Sequence, residues 1–185
     1  MAGIDFLNKD AFRLLELLLD KKYYLRELAE KTGMAPSSVH NIIALLAARK
    51  IVIAESQKNR KFFRLNYGSP LTASIMKTIF VDKITSAKAF KKLVKLQPIG
   101  IYLFGTAASG KMSGGSDIDL AIYFEEKPGS LLISQIKREL SNELKMEVQL
   151  IVLTKTRVAS MERGKTELLQ QIKNKSIVLE GDGLD

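Results

Sequence analysis

Two carboxylates stand two residues apart in the stretch LFGTAASGKMSGGSDIDLAI, residues 103–122: Asp117 and Asp119, separated by the apolar Ile118. In an extended strand such a pair points to one face, while the intervening residue points to the other. The pair therefore offers half of a divalent-metal site on a strand that Ile118 can anchor in a core. Upstream, Gly105 and Thr106 close an apolar segment. A turn there would present backbone N–H groups and a hydroxyl to a phosphate. Gly110, Gly114 and Gly115 let the intervening loop pass close to a ligand. Carboxylate oxygens are the hard ligands that Mg²⁺ prefers. Together these parts point to transfer of a nucleotidyl group from a Mg²⁺-bound nucleoside triphosphate. That chemistry must hold the triphosphate, neutralise charge at the α-phosphorus and activate an attacking hydroxyl. Two Mg²⁺ ions about 3.5–4 Å apart can do the last two.

Composition removes competing chemistries. The 185 residues contain no cysteine, which excludes disulfides, zinc–thiolate centres and thiol catalysis. His40 is the single histidine, so a His-cluster metal site is excluded, as is a Ser-His-Asp triad built on any other base. No apolar run approaches the roughly 18 residues that a membrane span needs. The start, MAGIDFLNKDAF, lacks the basic and apolar regions of a signal peptide, so a cytoplasmic location and no membrane partner are expected. The formal net charge is +9. Residues 1–67 carry 12 Lys/Arg against 7 Asp/Glu, an excess that suits a polyanion partner.

The elements that must position the carboxylates can be read from the hydrophobic pattern. PIGIYLFG and SDIDLAIYF read as buried strands, and MEVQLIVLT as a third. Between the last two, GSLLISQIKRELSNELK is an amphipathic helix with Leu131, Leu132, Ile136, Leu140 and Leu144 on one side. Thr154 can cap the segment after the third strand, KTELLQQIKN is a further helix, and SIVLEG a short terminal strand or extended tail. Before Pro98, LTASIMKTIF and ITSAKAFKKLVKLQ read as two helices of a connector. The second has a face of Lys88, Lys91, Lys92 and Lys95.

The N-terminal third has a different pattern. Residues 9–20 have Phe12, Leu15, Leu18 and Leu19 at helical spacing, with Asn8 or Asp10 available as cap. A second helix runs from about Tyr24 to Lys31, and Gly33 suits its left-handed C-terminal cap. A third begins near Pro36 and continues to about Lys50. IVIAES and KFFRLN then form a hairpin about the polar turn Gln57-Lys58-Asn59-Arg60. Residues 5–67 so resemble the winged helix of bacterial and archaeal transcription regulators. The resemblance implies a duplex-DNA partner. Ser37, Ser38, His40 and Asn41 would face bases or phosphates, and Lys58, Arg60 and Lys61 the backbone or a minor groove. Such domains often bind two half-sites as homodimers.

The order LFG-T, glycine-rich loop and SDID between apolar strands resembles the DNA polymerase beta-like nucleotidyltransferases, in particular their small, minimal members. This resemblance covers about residues 86–181. It implies that Gly105 and Thr106, matching the family's Gly-Ser pair, bind the β- and γ-phosphates, with Ser116 preceding the first aspartate as in the family pattern. Asp117 and Asp119 match the catalytic, metal-binding aspartates. Many minimal members carry an arginine just after the Gly-Ser pair; here Lys111 is the nearest cation, a point charge in place of a fork. Active members also have a third carboxylate on a neighbouring strand. By alternation Glu147 and Gln149 share one face of MEVQLIV. Glu147 would complete the catalytic triad. Gln149 is the alternative, and its neutral amide could bind a metal weakly without acting as a base. The minimal members also resemble antidote partners of toxin–antitoxin pairs that modify a toxin hydroxyl, which implies a protein acceptor.

The expected architecture is α+β: a winged helix-turn-helix over 1–67, a helical connector over 68–97, and a small mixed-sheet nucleotidyltransferase-like α/β domain over 98–185, whose fold can begin near 86. Three functions fit. One is a Mg²⁺-dependent nucleotidyltransferase, binding two ions when active, that also binds DNA. Another is a DNA-binding regulator whose impaired second domain only binds nucleotide or dimerises. The last is an RNA-directed enzyme gripping its substrate through the winged helix and connector.

Overall fold

A computed structural model describes residues 7–184. The first six residues, assigned above to the N-terminal domain, and Asp185 lie outside the described residues. The chain divides into two compact units: the first runs up to Ile75 and takes in Ser113–Gly115, and the second holds the rest from Met76 onward.

In the first unit, α1 (Lys9–Asp20) begins at Asn8, whose Oδ1 accepts from the Ala11 N–H at 2.9 Å. A cap of this kind is worth about 1 kcal/mol. Leu14, Leu15 and Leu18 line its buried face. Tyr23–Tyr24 form a two-residue strand, β1, which the sequence pattern assigned in part to the second helix. They extend because β3 (Arg60–Leu65) offers an edge: Tyr23 pairs with Phe63 and Tyr24 with Phe62. The second helix, α2 (Leu25–Thr32), therefore starts one residue later than expected and ends at Gly33 with φ 69°. The third, α3 (Pro36–Ala48), buries Val39, Ile43 and Leu46. β2 (Val52–Gln57) and β3 form the hairpin, in a sheet of order β1-β3-β2. Gln57 pairs with Arg60, which leaves Lys58 and Asn59 as the turn, both left-handed (φ 49° and 60°). Two such residues define the type I′ turn whose twist matches a hairpin.

The second unit holds a four-stranded mixed sheet of order β6-β5-β4-β7. β4 is Gly100–Phe104, β5 Ile118–Phe124, β6 Val148–Thr154 and β7 Ile177–Gly181. β5 runs parallel to β6 and antiparallel to β4, and β4 antiparallel to β7. One core cluster joins Tyr102, Phe104, Ala121 and Leu153 of the sheet to Val158 of α8 (Lys155–Arg163) and to Leu169 and Ile172 of α9 (Glu167–Lys175). Burying each large apolar side chain is worth roughly 1.5–3 kcal/mol, whereas an exposed ion pair contributes about 0–1. The sheet's apolar faces therefore hold this unit, and pairs such as Lys173–Glu162 are minor.

Two helices differ from the sequence pattern. The connector's first helix, α4 (Pro70–Ser86), runs on past Phe80, and the break falls at Ala87 (ψ 140°) before α5 (Lys88–Val94). In α7 (Ser130–Leu144) the buried stripe is Ile133, Ile136, Leu140 and Leu144, while Leu131 is 87% exposed and Leu132 faces outward too. The α7 side chain Glu143 also caps α5, accepting from the Lys88 and Ala89 N–H groups at 2.7 and 3.0 Å. Among the described residues no helix is long and apolar enough to cross a membrane.

Candidate active site

The register of three strands assembles the motif. Phe104 at the end of β4 pairs with Asp119, and Asp119 on its other side pairs with Gln149. Because β4 is antiparallel and β6 parallel to β5, the end of β4 and the starts of β5 and β6 meet at one edge of the sheet. There the chain leaves β4 through Gly105 into the short helix α6 (Gly105–Ser109), which Gly110 ends.

Gly105 has a physical reason to be glycine. Its φ is 69°, and a Cβ built there would collide with Asp119 Oδ2. The turn that starts α6 thus lies against one carboxylate of the pair. Thr106 and Lys111 are exposed beside it, and the Lys111 N–H donates to the Thr106 carbonyl at 3.0 Å. Ser116, Asp117 and Asp119 are half-buried. Burial first, and the neighbouring Asp117 charge second, raise the Asp119 carboxyl above its ordinary value. Two carboxylates forced together in this way gain from a cation between them.

Of the two residues expected on the neighbouring strand, Gln149 meets the pair. Gln149 Nε2 donates to Asp117 Oδ2 at 2.8 Å. Glu147, expected to supply the third carboxylate, is not brought to the pair. It precedes the first residue of β6, its carbonyl accepts from the Ile118 N–H at 2.8 Å, and its side chain lines a separate cavity of about 490 Å³ with Lys137, Arg138 and Lys145. Strand alternation fixes side-chain direction only inside the ladder, and the ladder begins at Val148. Among the described residues no group of three or more His, Cys, Asp or Glu side chains converges as a metal site. Two carboxylates still suit Mg²⁺, which is commonly held by one or two carboxylates together with substrate phosphates. The half-buried, mutually repelling pair beside a glycine turn fits that ion.

In the first unit Ser37, Ser38, His40 and Asn41 are all exposed on α3, and Lys58, Arg60 and Lys61 on the hairpin. His40, Arg60 and Lys61 meet in a cavity of about 560 Å³ completed by Tyr24, Leu25, Arg26 and Phe63. Lys58 lines a second, of about 300 Å³, again with Arg60. Ser37, Ser38 and Asn41 line neither. The Arg60 guanidinium lies 5.5 Å from the centre of the Tyr24 ring. Tyr24 and Arg26, which the residue pattern does not single out, share this cavity with them; the local mark is the Tyr-Tyr pair directly before the Arg-bearing helix.

Fold and site define a winged helix-turn-helix joined to a domain of the nucleotidyltransferase type. Residues 87–181, just over half of the chain, match the family described as Polymerase beta, Nucleotidyltransferase. The chain belongs to that family. Residues 11–53 match the IclR helix-turn-helix domain. No curated protein matches the chain. Among solved structures, a toxin–antitoxin crystal structure with AMP-PNP is 24% identical with a TM-score of 0.38, over 50% of this chain and 73% of that one. A complex of tri-AMPylated Shewanella oneidensis HEPN toxin with MNT antitoxin is 22% identical with a TM-score of 0.35, over 50% and 69%. A candidate nucleotidyltransferase from Sulfolobus solfataricus is 15% identical with a TM-score of 0.36, over 61% and 90%.

Proposed function

We propose that this chain is a Mg²⁺-dependent nucleotidyltransferase that moves a nucleoside monophosphate from a nucleoside triphosphate to a hydroxyl acceptor in the cytoplasm, and that its winged helix binds duplex DNA. The observation that carries the reading is the Asp117/Asp119 pair set against the Gly105 turn, with Gly105 kept free of a side chain by Asp119 itself. Asp117 and Asp119 hold the ion. The ion, when bound, offsets charge on the phosphates and polarises the α-phosphorus. Thr106, Ser116 and the backbone of the Gly105 turn bind phosphate oxygens, and Lys111 adds a positive charge at the rim. Gln149 holds Asp117 in place through its amide. The winged helix grips phosphates with Lys58, Arg60 and Lys61, while Ser37, Ser38, His40 and Asn41 face the duplex.

A second reading draws on the same amide. With Gln149 at the third position, no β6 carboxylate takes the acceptor's proton, which suits a regulator that binds nucleotide without transferring it. One experiment separates the two. The protein is incubated with Mg²⁺, each α-labelled nucleoside triphosphate, and protein and RNA acceptors. Label transferred by wild type and lost in Asp117→Asn/Asp119→Asn supports the enzyme. Mg²⁺-dependent nucleotide binding without transfer supports the regulator.

A further inference from the structure

The geometry points to a site that takes one divalent cation where nucleotidyl transfer commonly uses two, with Gln149 as the residue that sets this number. The inference rests on the nucleotidyltransferase reading and departs from the two-ion expectation drawn from the family resemblance. Three observations lead to it.

First, the only two carboxylates that meet at the start of β5, among the described residues, are Asp117 and Asp119; no third acid joins them. Their summed charge balances one divalent ion. Second, Gln149 occupies the place on β6 opposite Asp119, and its amide N–H is turned to Asp117 Oδ2 at 2.8 Å. A donor aimed at a carboxylate oxygen occupies one of its lone pairs, and it adds no negative charge to hold a second ion. Third, the nearest alternative acid on that segment, Glu147, lines a separate cavity with Lys137, Arg138 and Lys145. A two-ion clamp brings two divalent ions to within about 3.5–4 Å, and an added carboxylate would offset their mutual repulsion where a neutral amide does not. Two carboxylates and substrate phosphates are enough for one. Gln149 is thus a positioning residue: it restrains Asp117 for a single ion.

The test counts bound Mn²⁺ by electron paramagnetic resonance on the full chain, saturated with a non-hydrolysable nucleoside triphosphate analogue. Wild type is expected to hold one ion per complex. Gln149→Glu, which supplies the missing charge, is expected to hold two. Gln149→Leu, which can neither donate nor ligate, is expected to keep one ion but to bind it several-fold more weakly, because Asp117 loses its restraint. Two ions in wild type would overturn the inference and leave the proposed function standing, as would a single ion in folded Gln149→Glu. No ion and no analogue bound by wild type would overturn both. The wild-type count decides the matter even if the glutamate variant fails to fold.

Discussion

Gln149 Nε2 donates to Asp117 Oδ2 at 2.8 Å across the parallel β5–β6 pair. This bond sets a neutral amide beside one carboxylate of the pair, and it gives Asp117 an uncharged partner. The neighbouring Asp119 has a different constraint: the Gly105 backbone lies against its carboxylate, at a point where a Cβ would collide.

Gly105→Ala is expected to separate backbone strain from damage to the site. A non-glycine residue at positive φ costs about 1–2 kcal/mol. Gly33 has the same φ of 69° with open space around its Cβ position, so Gly33→Ala serves as control. Urea unfolding should show similar losses for both variants. Mn²⁺ titration should show weakened binding for Gly105→Ala alone, because Asp119 must swing away from the added methyl. Equal Mn²⁺ affinity in the two variants would break the link between Gly105 and the carboxylate.

Asp119→Asn is expected to stabilise the metal-free protein near neutral pH. Burial and the Asp117 charge raise the Asp119 carboxyl in the folded state. The folded protein then binds this proton more tightly than the unfolded chain, so the group's unfavourable contribution grows as pH rises through the raised value and vanishes below the ordinary one. Thermal melts from pH 7 down to pH 3 in EDTA should show the variant's advantage shrinking with acid. Excess Mg²⁺ should reverse the order at neutral pH, since an ion that binds only the folded state stabilises it. A pH-independent difference would contradict the assignment.

Glu143→Ala is expected to cost about 1–2 kcal/mol, since one carboxylate accepts from two otherwise orphaned N–H groups at the start of α5. Urea unfolding followed by circular dichroism measures it. Glu143→Gln keeps an acceptor oxygen and should recover part of the loss. An alanine variant as stable as wild type would show that solvent serves those groups equally well.

On the winged helix, Lys58→Ala and Arg60→Ala should each reduce the salt dependence of duplex binding by about one phosphate contact, a change of about 0.9 in the slope of log K against log salt. Arg26→Ala should do the same, because Arg26 lines the cavity shared by His40, Arg60 and Lys61. Fluorescence anisotropy across salt concentrations provides the slopes. Unchanged slopes in all three variants would remove this face from the DNA account.

Much of the frame can be read from residue pattern because it rests on local periodicity. α1 keeps the expected bounds Lys9–Asp20, and Ile118–Phe124 is a strand that carries Asp119 on the face opposite Ile118. Features set by distant partners are not legible in this way. β1 exists because β3 pairs with Tyr23 and Tyr24. The stripe of α7 begins at Ile133, since Leu131 and Leu132 offer equal hydrophobicity and only packing decides the phase. That Gln149 lies opposite Asp119 depends on where the β6 ladder begins, a property of the pairing with β5. The Glu143 cap joins residues more than fifty positions apart, and no local signal marks it.

Calorimetric titration of a non-hydrolysable nucleoside triphosphate analogue, with Mg²⁺ and with EDTA, tests the central claim most directly. Wild type should bind the analogue only with Mg²⁺, and Asp117→Asn/Asp119→Asn should lose at least about 100-fold in affinity, which corresponds to roughly 2.8 kcal/mol. Equal affinity in EDTA, or in the double variant, would contradict the assignment of this carboxylate pair to a metal-bound nucleotide.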